Sequence, residues 1–444
     1  MQVGTSALLS LLVDEGYSIE SLYALFQYAL LHDGKPFALQ ANFDFCRRRL
    51  ESSERDYEVV FRMEGFSHDP PESIAGFEFS RKYAITGTDE RVKAILCPGL
   101  NVLFAKTKTK GRDGRSAGLQ ARKSLDDILD LIRFELEMEV IAVRPDFAST
   151  EIGSDRVRIF SLPNQIPNPK RNVSADEFMS FVQKIGEVLE SNLLDPSSRG
   201  KIKSAFHFYR TGRDTEQLEN KFLNWWTALE YLVKTGEQGQ IMPEIEKRLV
   251  PIFVLGYAGK HLRNYANVLY FCQARLSASA TSQFDVYDYK DLNPLHFFTL
   301  LKDQDEFREI EVALARYPSL LFYLRRFKEQ MRDAKAINAF YANYEKRIIW
   351  HINRIYRIRC DIVHSAGYSM NLTLLSANLE YYLKYVLTAI LENLNYNKDI
   401  SSLTELYDRT NYTFNCLKKD LVAGRTDFHD GLLMAVENLA LPCM

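Results

Sequence analysis

The hydrophobic period changes once along the chain, and that change decides what the chain can fold into. From Tyr57 to about Leu162 apolar residues come in short β-rich runs, most of them separated by Gly or Pro. These runs are Tyr57–Phe61, Ile74–Phe79, Val92–Leu96, Asn101–Phe104, Val140–Val143 and Val157–Phe160. One amphipathic helix is expected within the series over Ser124–Met138, with Ser124 as its cap and Leu125, Ile128, Leu129, Ile132 and Leu136 at helical spacing. The stretch PNQIPNPKRN, Pro163–Asn172, holds three prolines and little that is apolar, which marks it as a linker. After Ser174 the spacing is helical almost throughout, with a Gly-rich turn at Gly236–Gly239 and a helix break expected near Pro251. The expected architecture is an α+β domain over residues 1–170 followed by a larger all-α domain over 171–444, the latter carrying a helical insertion at about 237–332.

Composition narrows the function classes. With 56 Lys and Arg against 58 Asp and Glu, the formal charge of −2 excludes a basic protein that coats polyanions, and 46% apolar residues supply a full core without staples. The cysteines Cys46, Cys97, Cys272, Cys360, Cys416 and Cys443 lie far apart, so none forms a C-x-x-C pair, and a reducing cytoplasmic setting is expected. The apolar run Ala7–Val13 has no basic residue before it and is followed by Asp14 and Glu15, the wrong polarity for a signal peptide, so it is expected to begin a helix. Leu249–Gly259 is about half the roughly 20 residues a membrane span needs. No membrane association is expected. Neither a G-x-G-x-x-G turn, a Walker A loop, an H-E-x-x-H helix, a G-x-S-x-G elbow nor an EF-hand loop occurs. The eight histidines are scattered singly, and no metal or cofactor is expected.

The informative segment is RIYRIRCDIVHSAG, Arg354–Gly367. Between Ile337 and His364 five cations, Lys346, Arg347, Arg354, Arg357 and Arg359, stand against Glu345 and Asp361, a net +3 in a slightly acidic chain. Ile348, Ile352, Ile355, Ile358 and Ile362 form an apolar stripe that buries one face and leaves the arginines to frame a groove for a polyanion. The helix is expected to stop at His364, with Gly367 as a left-handed terminator. In that last turn His364 meets the negative end of the helix dipole, which suits a residue that exchanges a proton near neutral pH.

An arginine followed four to six residues later by histidine at a helix end is the signature of the HEPN superfamily, and the chain resembles its Apea-like members, proteins of bacterial antiviral defence. Arg62 and His68 also satisfy the spacing, but on a β-like run just before Asp69-Pro70-Pro71, where no long helix can form. Context favours the later match: the arginine-isoleucine run, the Asp-Ile-Val-His-Ser ending, and an upstream helix NWWTALEYL, Asn224–Leu232, like the family's first core helix. The resemblance covers about Lys201–Leu394. It implies a HEPN helical bundle and a metal-independent endoribonuclease, with Arg359 binding the scissile phosphate and stabilising charge on the phosphorane. His364 would act as general base on the ribose 2′-hydroxyl or as acid to the leaving oxygen, leaving a 2′,3′-cyclic phosphate. DNA lacks that hydroxyl and should resist cleavage. RNA is the implied partner, the implied form is a homodimer or higher homo-oligomer in which two motifs line one cleft, and a phage-derived or nucleotide activator fits the defence role. The alternative is a non-catalytic HEPN module that binds a nucleotide or a partner protein as a regulatory scaffold.

Five residues of helix turn through about 500°, which leaves Arg359 and His364 roughly 140° apart. Arg357, seven residues before His364, lies almost on its face and is expected to be a second phosphate ligand. Arg354 is expected to extend the RNA-binding surface, and Asp361, three residues before His364, is placed to orient its ring. The family commonly has a polar residue after the motif arginine, where this chain has Cys360. Glu230 is placed to pair with Arg359, and Trp225 and Trp226 are expected to fill core and interface. A second basic stretch, Lys106–Lys123, is expected to be a mobile loop whose Lys106, Lys108, Lys110, Arg112 and Arg115 either clamp RNA phosphates or stay solvated.

Overall fold

The computed structural model describes residues 8, 11–13, 15–30, 40–51, 53–65, 72–83, 90–99, 101–135, 141–154, 156–162, 175–191, 193–215, 217–234, 241–365 and 372–425. The linker Pro163–Asn172, the turn Gly236–Gly239, His68, Gly367 and, within Ala7–Val13, residues Ala7, Leu9 and Ser10 fall outside them; Leu8, Leu11, Leu12 and Val13 are helical. The chain divides into two compact units, Met1–Pro167 and Asn168–Met444. The first is α+β and the second is helical.

The first unit contains α1 (Ile19–Leu30), α2 (Gln40–Leu50), β1 (Arg55–Glu64), β2 (Ser73–Ile74), β3 (Phe77–Ser80), α3 (Glu90–Ile95), β4 (Val102–Gly111), α4 (Gly114–Glu135), β5 (Ala142–Glu151) and β6 (Val157–Ser161). Its six strands form one antiparallel sheet in the order β2-β3-β4-β1-β5-β6. Strand alternation assigns the two faces. Val59, Phe61 and Met63 of β1 join Leu103, Ala105 and Phe147 under α4, whose Ala117, Ala121, Leu125 and Leu129 complete that core. Val60, Phe104 and Ala148 point the other way, against Val92 and Leu96. Close packing at one point depends on a missing side chain: a Cβ on Gly118 would stand 1.9 Å from the Phe147 ring.

Three expectations are corrected here. Val92–Leu96 does not form a strand; its residues lie in and just after the short helix α3, packed on the sheet. The helix expected from Ser124 starts ten residues earlier at Gly114. Its cap is Asp113, whose Oδ1 accepts from the backbone N–H groups of Arg115 and Ser116, both at 2.8 Å. The basic stretch is not a loop: Lys106–Gly111 are the second half of β4, and the residues from Gly114 onward are α4.

The second unit contains α5 (Ala175–Glu190), α6 (Pro196–Asp214), α7 (Leu218–Val233), α8 (Ile241–Phe271), α9 (Ala278–Phe284), a 3-10 turn (Tyr289–Asp291), α10 (Pro294–Lys302), α11 (Gln304–Ala313), α12 (Pro318–Gln330), α13 (Ala334–Ser365), α14 (Leu372–Tyr396) and α15 (Leu403–Val422). The expected break at Pro251 does not occur. Proline inside a helix costs about 3 kcal/mol, yet α8 runs through it because every residue from Leu249 to Gly256 is buried. Tertiary burial outweighs the lost hydrogen bond. Helices α6 and α7 pack closely: the Trp225 ring stacks on Tyr209 at 6.2 Å, and its indole N–H donates to the Tyr209 carbonyl at 3.1 Å. No described helix is long and apolar enough to cross a membrane.

Candidate functional site

The site is built on α13, 32 residues long. Ile348, Ile352 and Ile355 are buried, so the isoleucine stripe faces the bundle as its spacing requires. Polar contacts fix the helix about its axis. The Asn353 amide donates to Glu246 of α8 at 2.9 Å, Arg347 donates to the Tyr257 hydroxyl at 3.0 Å, Lys418 of α15 pairs with Glu345 at 2.7 Å, and His351 Nδ1 lies 2.6 Å from the Tyr382 hydroxyl of α14. Burial, with the Arg354 charge adding, pushes the His351 imidazole down from its ordinary pKa, so it serves as a neutral anchor.

Near its C-terminal end α13 meets α7. The Arg359 guanidinium stands 3.9 Å from Glu230, with 28% of the arginine and 23% of the glutamate side chain exposed. The same Glu230 oxygen accepts from the Trp226 indole N–H, and the Trp226 and Tyr356 rings lie 5.6 Å apart. A hydrogen bond with Cys360 raises the Tyr356 phenol above its ordinary pKa, with Glu230 adding and Arg359 opposing. Trp225 and Trp226 are almost completely buried and act as packing residues. Four residues on two helices, Trp226 and Glu230 of α7 with Tyr356 and Arg359 of α13, therefore form one joined cluster.

His364 is exposed in the last turn of α13, and Arg354, Arg357 and Asp361 are exposed on the preceding turns. Among the described residues none of these four has a hydrogen-bond or ion-pair partner of its side chain; in particular, Asp361 is not bonded to the His364 ring. Because α13 stays helical through Ser365, the roughly 140° separation of Arg359 and His364 about the axis holds in the fold. Arg357 shares the outer face with His364. Arg359 occupies the side turned toward α7.

The basic residues of the first unit are partly committed. Lys106 pairs with Glu78 at 2.6 Å, Arg112 with Glu15 at 2.9 Å, and Arg115 donates to the Ser161 carbonyl at 3.3 Å while lying 5.7 Å from the centre of the Phe160 ring. Lys108 and Lys110 are exposed on β4. Among the described residues no three His, Cys, Asp or Glu side chains gather as a metal site.

One residue the sequence reading passed over belongs to the outer face. Trp350 is 66% exposed and lies four residues before Arg354. Its signal was available: it falls on the side of α13 opposite the isoleucines. No protein-family model, no curated protein and no solved structure matches the chain.

Proposed function

We propose that the helical unit is a HEPN-type, metal-independent endoribonuclease of the Apea-like kind, used in antiviral defence, in which His364 transfers the proton and arginine binds the scissile phosphate. The observation that carries this reading is an exposed, unpartnered imidazole in the last turn of α13, one to two turns beyond an arginine held by a carboxylate from α7. His364 would take the 2′-hydroxyl proton or protonate the departing oxygen. Arg357 reaches the same face with its guanidinium free for bidentate phosphate binding. Arg359, oriented by Glu230, supplies a second guanidinium from the edge of the helix. Pairing of two copies, with the C-terminal turns of both α13 helices lining one cleft, would bring the inner and outer faces to a common substrate.

A second reading is a non-catalytic HEPN module that binds a nucleotide or a partner protein. It is favoured by one observation: Arg359 already faces a carboxylate and lies on a different side of α13 from His364. Hydrolysis separates the two. Mixed RNA incubated with the full chain in excess EDTA should be cut to products ending in 2′,3′-cyclic phosphate. His364→Ala should lower the rate by about 10²-fold or more, the usual contribution of a positioned acid or base. Arg357→Ala and Arg359→Ala should each slow cleavage, and DNA of the same sequence should stay whole. Cutting that survives His364→Ala, or that appears only with added metal, removes the enzyme reading as stated.

A further inference from the structure

The outer face of α13 carries more than the motif. Lys346, Trp350, Arg354, Arg357, Asp361 and His364 follow one another at spacings of four, four, three, four and three residues, and all are exposed. At 100° per residue these six fall within an arc of about 80°, and at 1.5 Å per residue the row runs about 27 Å along the helix. Among the described residues Lys346, Arg354 and Arg357 have no carboxylate within ion-pair distance, and the lone acid in the row, Asp361, makes no ion pair either. The contacts that hold the helix are made by other residues: Asn353 to Glu246, Arg347 to Tyr257, His351 to Tyr382, Arg359 to Glu230 and Glu345 to Lys418, and none of the six in the row takes part.

A solvated face needs no tryptophan. An indole with two thirds of its surface in water, set between unpaired cations, offers a stacking platform inside an electrostatic track. That combination suits single-stranded nucleic acid, whose bases are free to stack while its phosphates follow the cations. An RNA duplex keeps its bases stacked on one another and gives such an indole nothing to hold. We propose that the outer face of α13 is the path of a single-stranded RNA, with Trp350 stacking on a base outside the cleavage point, Lys346 and Arg354 on flanking phosphates, and the strand leading to Arg357 and His364. The inference rests on the ribonuclease reading for the direction of the path, and its binding component can be tested without any cleavage.

The chain has three tryptophans, of which Trp225 and Trp226 are buried, so quenching of tryptophan emission by a bound strand reports on Trp350. The experiment uses the full chain carrying His364→Ala, a labelled uridine oligomer of about twelve nucleotides as probe, and the same length of duplex RNA as control. Fluorescence anisotropy gives affinity at several salt concentrations, and intrinsic emission gives stacking. The single strand is expected to bind more tightly than the duplex and to quench the emission. Trp350→Ala should weaken binding by about tenfold, and Trp350→Tyr should restore most of it. Arg354→Ala should reduce the slope of log affinity against log salt by about 0.7, the share of one single-strand phosphate contact. Equal affinity for Trp350→Ala, binding without quenching, or preference for duplex overturns the path. So does an unchanged affinity in a Trp350→Ala chain that sediments as a smaller species, because the face would then be a contact between copies. RNA bound with quenching but never cut by the chain with His364 intact would keep the path and remove the nuclease. Cleavage that is indifferent to Trp350 at equal affinity would do the reverse.

Discussion

His261 shows how burial, with nearby charge adding to it, sets a side chain's behaviour. It sits edge-on to Tyr257 at 4.5 Å and is stacked on Phe327 at 5.5 Å, with Phe340 also in contact at 5.9 Å. Burial pushes its pKa down to about 4, and the charges of Lys260 and Arg347 add to the shift. The sign of the consequence follows from which state takes the proton first. Unfolded chain protonates near the ordinary value of about 6.5, while folded chain holds the ring neutral until about 4. The stabilisation is therefore complete above the higher value and is lost as pH falls between the two. The slope is about 1.4 kcal/mol per pH unit for one such group. Denaturant unfolding of the full chain measured from pH 7 to 4 should show stability declining with acid, and His261→Gln should flatten that decline. His351, lowered in the same direction, preserves part of it. An unchanged pH slope in the variant would remove His261 from the acid response.

Caps and periods act at the scale of the element. Asp195 caps α6 by accepting from the Ser198 N–H at 2.9 Å, its own N–H donates to the Ser401 carbonyl at 2.9 Å, and Ser198 Oγ accepts from the Leu403 N–H at 2.9 Å. The starts of α6 and α15 are clipped together. Asp195→Ala should cost about 1 kcal/mol, with 2 as the usual ceiling, measured as a lower unfolding midpoint with circular dichroism at full helical amplitude. Much of this unit is legible in the sequence because its signals are long: the isoleucine stripe orients α13, and Glu230 stands out on α7 as the one charged residue of NWWTALEYL. Short signals failed for physical reasons. Val92–Leu96 is rich in apolar residues, but five residues cannot distinguish a buried strand from a turn and a half of helix. Lys106–Lys110 alternates lysine and threonine with the period of a strand, but with no apolar residue in the alternation the pattern carries only a weak strand signal. Asp113 was the better cap for α4 than Ser124, which stands inside the helix. The proposed pairing of Asp361 with His364 followed from spacing alone, and side-chain rotation is free to leave both in water. Trp350 has no place in the Arg–His spacing of the motif, and only its position opposite the isoleucines marks it in the sequence.

At the scale of the whole molecule, each unit buries its own apolar surface. The sheet unit closes over α4 on one face and residues of α3 on the other, within Met1–Pro167. The helical unit buries Ile348, Ile352 and Ile355 of α13 and the continuous run Leu249–Gly256 of α8 within Asn168–Met444. Two cores, each gathered within its own unit, should melt as two cooperative events. Substitutions chosen on each side can assign them. Gly118→Ala forces a methyl group into the Phe147 ring, and overpacking of this kind costs about 1–3 kcal/mol. In a unit of about 170 residues each kcal/mol lowers the midpoint by about 2–4 °C. Asp195→Ala lies in the other unit. Calorimetry of the full chain should give two transitions, one lowered by Gly118→Ala and unmoved by Asp195→Ala, the other showing the reverse. A single transition that moves with either substitution would show that the two cores unfold as one, and the nuclease assay on isolated residues 168–444 would then have no folded subject. Independent transitions instead allow that fragment to be tested directly, with cleavage and RNA binding assigned to the helical unit alone.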